Sequence, residues 1–302
     1  MYYLLKIASI LLFFQLGINS ILAQTKAELK NQIENIISKY DATVGVAIHS
    51  NDFTDSLIIN GEKHYPLQSV YKVHLGIVVL DQIDKGKFKL DQIIDITKQH
   101  VNTDIYSPIR DKYPNGTSMS IGNILKYSIA QSDNVACDVL FELLGGPDFV
   151  QQYFINHNYQ NLSIKWTEEI QQHNWDIQFE NWTTVSSVNR ILFDYYQNTG
   201  KLLSDESHLF LWNTMRETQT GQNQLKANLP KGTVIAHKTG FSGQHKETGE
   251  IAAMNNVGVI TLPNGEVFYI SVFVTESQEN VDTNAKIIAD IAQVSWNYFV
   301  QK

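Results

Sequence analysis

Pro66-Leu67-Gln68-Ser69-Val70-Tyr71-Lys72 runs directly into the apolar stretch Val73-His74-Leu75-Gly76-Ile77-Val78-Val79-Leu80, and the fold turns on how this segment is read. A Ser followed three residues later by a Lys, at the head of a helical run, puts both side chains on one helix face. A hydroxyl is a weak nucleophile, and an adjacent amine able to lose its proton supplies the missing base. A helix over 70–80 places Ser69 in its first turn, where the partial positive charge favours a developing alkoxide. Ser-x-x-Lys alone joins two common residue types, so the remainder of the chain has to supply the other parts of an acyl-transfer site.

Around this segment the two ends of the chain mix helix and strand, and the middle is helical. Thr25-x-x-Glu28 reads as a capping box opening a helix with Leu29, Ile33, Ile36, Ile37 and Tyr40 on one face. Runs 43–49 and 56–60 are β-rich, with a turn at Asn60-Gly61. The pattern breaks at 84–86. Helix dominates 121–216, cut by Gly145-Gly146-Pro147 and by a polar segment at 165–182. Strand character returns at 233–237, 251–262 and 267–274, the last two joined by a hairpin at Pro263-Asn264-Gly265. A terminal amphipathic helix is expected over 283–299. These elements predict an α+β fold: one antiparallel sheet built from both chain ends and covered by the terminal helices. An all-helical lobe would be inserted at 67–216 between the α/β pieces 24–66 and 217–302.

The chain has 302 residues and 43% apolar content, enough for a sizeable core. Its formal charge of -8 argues against a nucleic-acid partner, which selects basic stripes. Residues 1–23 read as a secretory signal: Lys6 in the n-region, an apolar stretch at 7–16, and Ile21-Leu22-Ala23 before cleavage. Gln15 and Asn19 interrupt the apolar run short of the roughly 20 residues a bilayer span requires. No Cys follows that could carry a lipid. Export to the periplasm, without a membrane anchor after cleavage, is the expectation. The single cysteine, Cys137, excludes an intrachain disulfide and reads as a small buried hydrophobe.

Two further tripeptides complete the pattern. Ser132-Asp133-Asn134 stands at the junction of two helical runs, where all three residue types also serve as N-caps. Lys238-Thr239-Gly240 follows the β-rich Val234-Ile235-Ala236-His237; on an edge strand its Lys and Thr would flank a groove, and its Gly would admit a substrate backbone. In this order the three motifs are the set found in class A β-lactamases and penicillin-binding proteins. The chain resembles a class A serine β-lactamase over essentially its whole mature length. Asp138 after the Ser-Asp-Asn motif, His173, and Gln68 ahead of Ser69 resemble the PER/VEB/CfxA-type branch, whose members have a rearranged loop and favour cephalosporins, often extended-spectrum ones.

The resemblance implies a five-stranded sheet of the β-lactamase/transpeptidase-like fold and a small-molecule β-lactam substrate, with no cofactor and a monomeric enzyme. Ser69 is the implied nucleophile, Lys72 its neighbouring base, and Ser132 the proton donor to the leaving nitrogen. The backbone N–H groups of Ser69 and Phe241 would form the oxyanion hole. Tyr106 and Asn134 would contact substrate, and Lys238, Thr239 and Ser242 would carry most of the recognition of its carboxylate, because segment 220–226 has no Arg where many relatives carry one. The deacylating carboxylate falls in Glu168-Glu169-Ile170-Gln171-Gln172-His173. Glu169 is preferred over Glu168, because His173 then takes the family's Asn position in Glu-x-x-x-Asn; Asp138 and His173 would structure the loop. Phe241 replaces a small or hydroxylated residue. The nine His residues contain no His-x-His pair, so no metal is expected. The rival readings are a D-alanyl-D-alanine peptidase without the deacylating Glu, and a sensor that β-lactams only acylate.

Overall fold

Thr25 begins the first helix as its sequence implies. Its hydroxyl accepts from the Glu28 amide at 3.2 Å, and the Thr25 amide donates back to Glu28 Oε2 at 2.8 Å. The computed structural model describes residues 24–302, so the segment 1–23, expected to be a signal, lies outside the described residues. The Lys26–Ile37 helix packs beside the C-terminal helix Val281–Val300, and together they cover one face of the main sheet.

That sheet has five antiparallel strands in the order Ser56–Ile59, Thr43–His49, Val267–Thr275, Met254–Thr261, Ile235–Phe241. Side chains alternate between its faces. Leu29, Ile33, Val46, Ile48, Ile270, Val272 and Ile288 form a core under the terminal helices. Ala47, Ala236, Val257, Tyr269 and Phe273 point the other way, into a larger core with the helices of the middle segment. Both faces are buried, which explains the near-continuous apolar run of Val267–Thr275.

The Ser-x-x-Lys segment is a single 3₁₀ turn, Gln68–Val70, leading into the helix Tyr71–Asp84, whose residues 71–82 are all buried. Such a helix has no exposed polar face, so its sequence is apolar from Leu75 to Leu80, and Lys72 and His74 are buried with the rest. Two expectations are corrected. The edge strand does not stop before Lys238 but runs through Lys238-Thr239-Gly240 to Phe241. The middle segment is not purely helical: Ile93–Ile96 pairs with Thr117–Ser120, and Leu162–Ser163, Trp182–Thr183 and Tyr65–Pro66 form a small three-stranded sheet.

Candidate active site

The site begins where the edge strand crosses the Gln68–Val70 turn. A Cβ added at Gly240 would lie 2.9 Å from the Leu67 carbonyl oxygen and 3.0 Å from Gln68 Cβ, so only glycine allows this approach. Strand alternation sends Lys238 toward the helices and Thr239 to the opposite side. Gln68 (φ 47°) and Ser132 (φ 58°) both hold left-handed backbone, so the residue before the nucleophile and the second serine are the strained positions of the site.

Lys72 and Glu168 are wholly buried as an ion pair. Lys72 Nζ donates to Ser69 Oγ at 2.6 Å and to Asn134 Oδ1 at 2.7 Å, and it meets Glu168 Oε1. An ammonium has three donors and no acceptor, and these three partners use all of them. Ser69 Oγ in turn donates to Glu168 Oε1 at 3.3 Å. Among the described residues, none gives buried Glu168 Oε2 a hydrogen-bond partner. Across the cleft, Lys238 Nζ donates to Ser132 Oγ and to the Thr239 carbonyl, each at 2.9 Å. Burial, and then the charge of Lys72, hold the Lys238 ammonium below its ordinary pKa.

Asp133 keeps the bland role its position allows, capping the helix Asn134–Leu144 through the Ala136 amide at 2.8 Å. It also accepts from the Ile109 amide and the Ser107 hydroxyl, which fastens the segment after Tyr106 to this helix. The Asn134 amide donates to the Tyr106 carbonyl at 3.1 Å, leaving the Tyr106 ring 55% exposed at the cleft. The cleft is about 440 Å³ and is lined by Ser69, Tyr106, Ser132, Asn134, Thr239 and Phe241, among others. Cys137 is fully buried in the helical core, and burial raises its thiol pKa well above the ordinary value.

The carboxylate register is corrected by one residue. Thr167 begins the helix Glu168–Gln172, and the Glu168 and Glu169 amides donate to the two Asp138 oxygens at 2.8 and 2.9 Å. Held in this way, the first turn points Glu168 inward. Glu169 is on the outer face, where its side chain accepts from the Thr103 hydroxyl at 2.6 Å. Glu169 and His173 do share a helix face, but it is the exposed one, so the spacing that favoured Glu169 was anchored on the wrong side.

Ser242 lines the cleft, but its hydroxyl donates to the Gly243 carbonyl and accepts from the Ala253 amide. Thr220, which sequence reasoning passed over, pairs its hydroxyl with that of Thr239 at 2.6 Å. A Cβ at neighbouring Gly221 (φ +65°) would strike Thr239 Cγ2 at 2.5 Å. Also unanticipated is a chain of buried amides behind the nucleophile. Gln68 donates to Gln178 at 2.7 Å, Gln171 donates to Gln68 at 2.9 Å, and Asn181 donates to Gln171 at 2.9 Å.

Burial, with the Glu168 charge beside it, pushes the Asp138 carboxyl from its ordinary 3.8 up to about 7. A raised folded-state pKa on an acid stabilises fully below the unfolded value, and that stabilisation is lost as pH rises through the folded one. Asp138→Asn removes this titration. Its Tm relative to the unmutated protein should therefore improve steadily between about pH 4 and pH 7. Parallel melting curves across that range check it, and a pH-independent difference would contradict the assignment.

Comparison with known proteins gives a consistent answer. Residues 28–299 match the model of the beta-lactamase enzyme family. The chain is 44% identical to beta-lactamase VEB-1 of Pseudomonas aeruginosa over 99% of its own length and all of that protein. It is 41% identical to the extended-spectrum beta-lactamase PER-1 of the same organism, covering 91% of this chain and 88% of that one. The crystal structure of TLA-1 extended-spectrum beta-lactamase superposes with a TM-score of 0.88 at 42% identity, covering 92% of this chain and all of that one.

Proposed function

Since the chain belongs to the beta-lactamase enzyme family, we propose that it opens β-lactam rings through an acyl-enzyme on Ser69, with Glu168 as the deacylating base. It is a class A β-lactamase and confers resistance to these antibiotics. The observation that carries the residue assignment is the buried cluster in which one ammonium, Lys72, meets Ser69, Asn134 and Glu168 at the edge of the cleft.

The Lys72 amine gathers Ser69, Asn134 and Glu168 around it, and Glu168 is the acceptor placed to take the Ser69 proton. The hydroxyl attacks the strained carbonyl while the amides of Ser69 and Phe241 hold the oxyanion; losing such a donor costs about 2.7–4 kcal/mol. Ser132 accepts from Lys238, so its own proton is free for the departing ring nitrogen. The substrate carboxylate docks at the Thr220–Thr239 hydroxyl pair with Lys238 behind it, and Asn134 and Tyr106 meet the side-chain amide. In the second half-reaction Glu168 Oε2, buried without a partner among the described residues, takes a proton from the attacking water.

A second cavity of about 480 Å³, bounded by Gln171, His173, Trp175, His245 and Glu247, shares Gln172 and Ser242 with the cleft. Its volume supports acceptance of bulky oxyimino side chains. Catalytic efficiency on an oxyimino cephalosporin should be comparable to that on an early cephalosporin, because the cavity gives the larger side chain room. Steady-state hydrolysis of a penicillin, both cephalosporins and a carbapenem tests this. Acylation without turnover on every compound would instead favour the peptidase or sensor reading.

The two-lobe division at 67–216, a monomeric enzyme and a periplasmic location complete the proposal. The location is supported by the signal-like residues 1–23 and by relatives from Pseudomonas aeruginosa. No described helix is long and apolar enough to cross a membrane.

A further inference from the structure

Two side chains left outside this chemistry, Glu169 and His173, reach away from the cleft to one short segment. The Thr103 hydroxyl donates to Glu169 Oε2 at 2.6 Å. His173 Nε2 lies 3.0 Å from Asp104 Oδ1, and His173 Nδ1 lies 2.7 Å from the Glu169 carbonyl oxygen. Arg110 pins that segment from behind, donating to the Thr103 and Ile105 carbonyls at 3.1 and 2.6 Å. Tyr106 follows immediately. The helix carrying Glu168 and the segment carrying Tyr106 are thus fastened together across the outside of the site.

The chemistry of the fastening is specific. A carbonyl oxygen and a carboxylate oxygen only accept, so both ring nitrogens of His173 must carry protons to satisfy both contacts. The clamp is complete only with His173 as imidazolium. The charged groups facing the ring are Asp104 from the 102–106 segment and Glu169 from its own helix; His245, Lys246 and Glu247 line the adjoining cavity. The Glu169 carbonyl, then Asp104, hold the His173 pKa above its ordinary value. The Asp104 and His173 side chains are 86% and 51% exposed, so global stability gains little from the pair. Local placement of a short helix gains more, since Glu168–Gln172 has only five residues.

We propose that Asp104 and His173 are positioning residues for deacylation: they lock the Glu168 helix to the Tyr106 segment and so keep the Glu168 carboxylate aimed at the acyl-enzyme. The proposal rests on the assignment of Glu168 made above. It also gives the chain a pH-sensitive element, because the clamp is engaged while His173 is protonated and released as pH rises through its pKa.

Quench-flow with a chromogenic cephalosporin that carries no oxyimino group, using the full mature enzyme, separates acylation from deacylation. Asp104→Ala and His173→Ala should each slow deacylation about two- to fivefold, the range an exposed ion pair of modest strength can set. kcat and KM should fall together while kcat/KM, which reports acylation, stays within about twofold. The alkaline decline of deacylation in the unmutated enzyme should vanish in both variants. Asp104→Asn, which keeps an acceptor, should restore part of the rate. Combined with Glu168→Gln, Asp104→Ala should add no further slowing, because it acts through Glu168. Unchanged deacylation in both alanine variants, an equal loss of kcat/KM, or full additivity with Glu168→Gln overturns the clamp. If Glu168→Gln itself deacylates normally, the underlying assignment fails instead.

Discussion

Glu168→Ala should accumulate a covalent adduct on Ser69, seen by intact-protein mass spectrometry after brief exposure to a good cephalosporin, while Glu169→Ala continues to turn over. Deacylation requires a water activated from the loop side, and Glu168 is the carboxylate buried against Ser69 and Lys72. General-base catalysis contributes about 10²–10⁴-fold, and deacylation should slow by that amount. Acylation suffers less. Without Glu168, the Lys72 amine still lies 2.6 Å from Ser69 Oγ and is the group left within reach of its proton. The adduct accumulates because one half-reaction keeps a base and the other does not. Glu169 touches Thr103 on the outer face, so its removal should cost at most about fivefold, as for a modest exposed contact. If Glu169→Ala trapped the adduct and Glu168→Ala hydrolysed freely, the inward placement of Glu168 would have no catalytic meaning.

That pair of neighbours also shows what a sequence can and cannot carry. Ser69, Lys72, Ser132 and Lys238 were legible because motif order and spacing are one-dimensional facts, and the α+β architecture followed from strand-rich ends around a helical middle. Which of two adjacent glutamates faces inward was not legible. Successive helical residues point about 100° apart, and the choice is made by Asp138 gripping two backbone amides. The Gln68–Gln171–Asn181 chain was invisible for another reason: side-chain amides have no periodic signature, and their partners come from remote segments. Thr220 was not legible because a single Thr in a polar turn has no spacing to mark it, and its partner Thr239 is 19 residues away. The strand running through Lys238-Thr239-Gly240 was cut short because a buried Lys and a Gly carry little strand propensity. There, close packing against the Gln68 turn overrides local preference.

Ser69→Ala should abolish turnover, by about 10⁶ in kcat, as happens when the nucleophile of a serine hydrolase is removed. The loss is large because the other hydroxyls of the cleft are engaged: Ser132 is turned to Lys238, and the Thr220 and Thr239 hydroxyls hold each other where the substrate carboxylate docks. The variant should still fold. Lys72 keeps Asn134 and Glu168, and one lost hydrogen bond of about 1 kcal/mol lowers Tm by only about 2–4 °C. Substrate should then bind without reacting, and intact-protein mass spectrometry should find no adduct even after long exposure. A strong chelator should leave the native enzyme at full rate. Activity lost on chelation and restored by zinc, or hydrolysis surviving in Ser69→Ala, would place the chemistry elsewhere. The combination of no adduct in Ser69→Ala and a trapped adduct in Glu168→Ala is demanding, because a hydrolase attacking the ring directly with water could satisfy the first result but never the second.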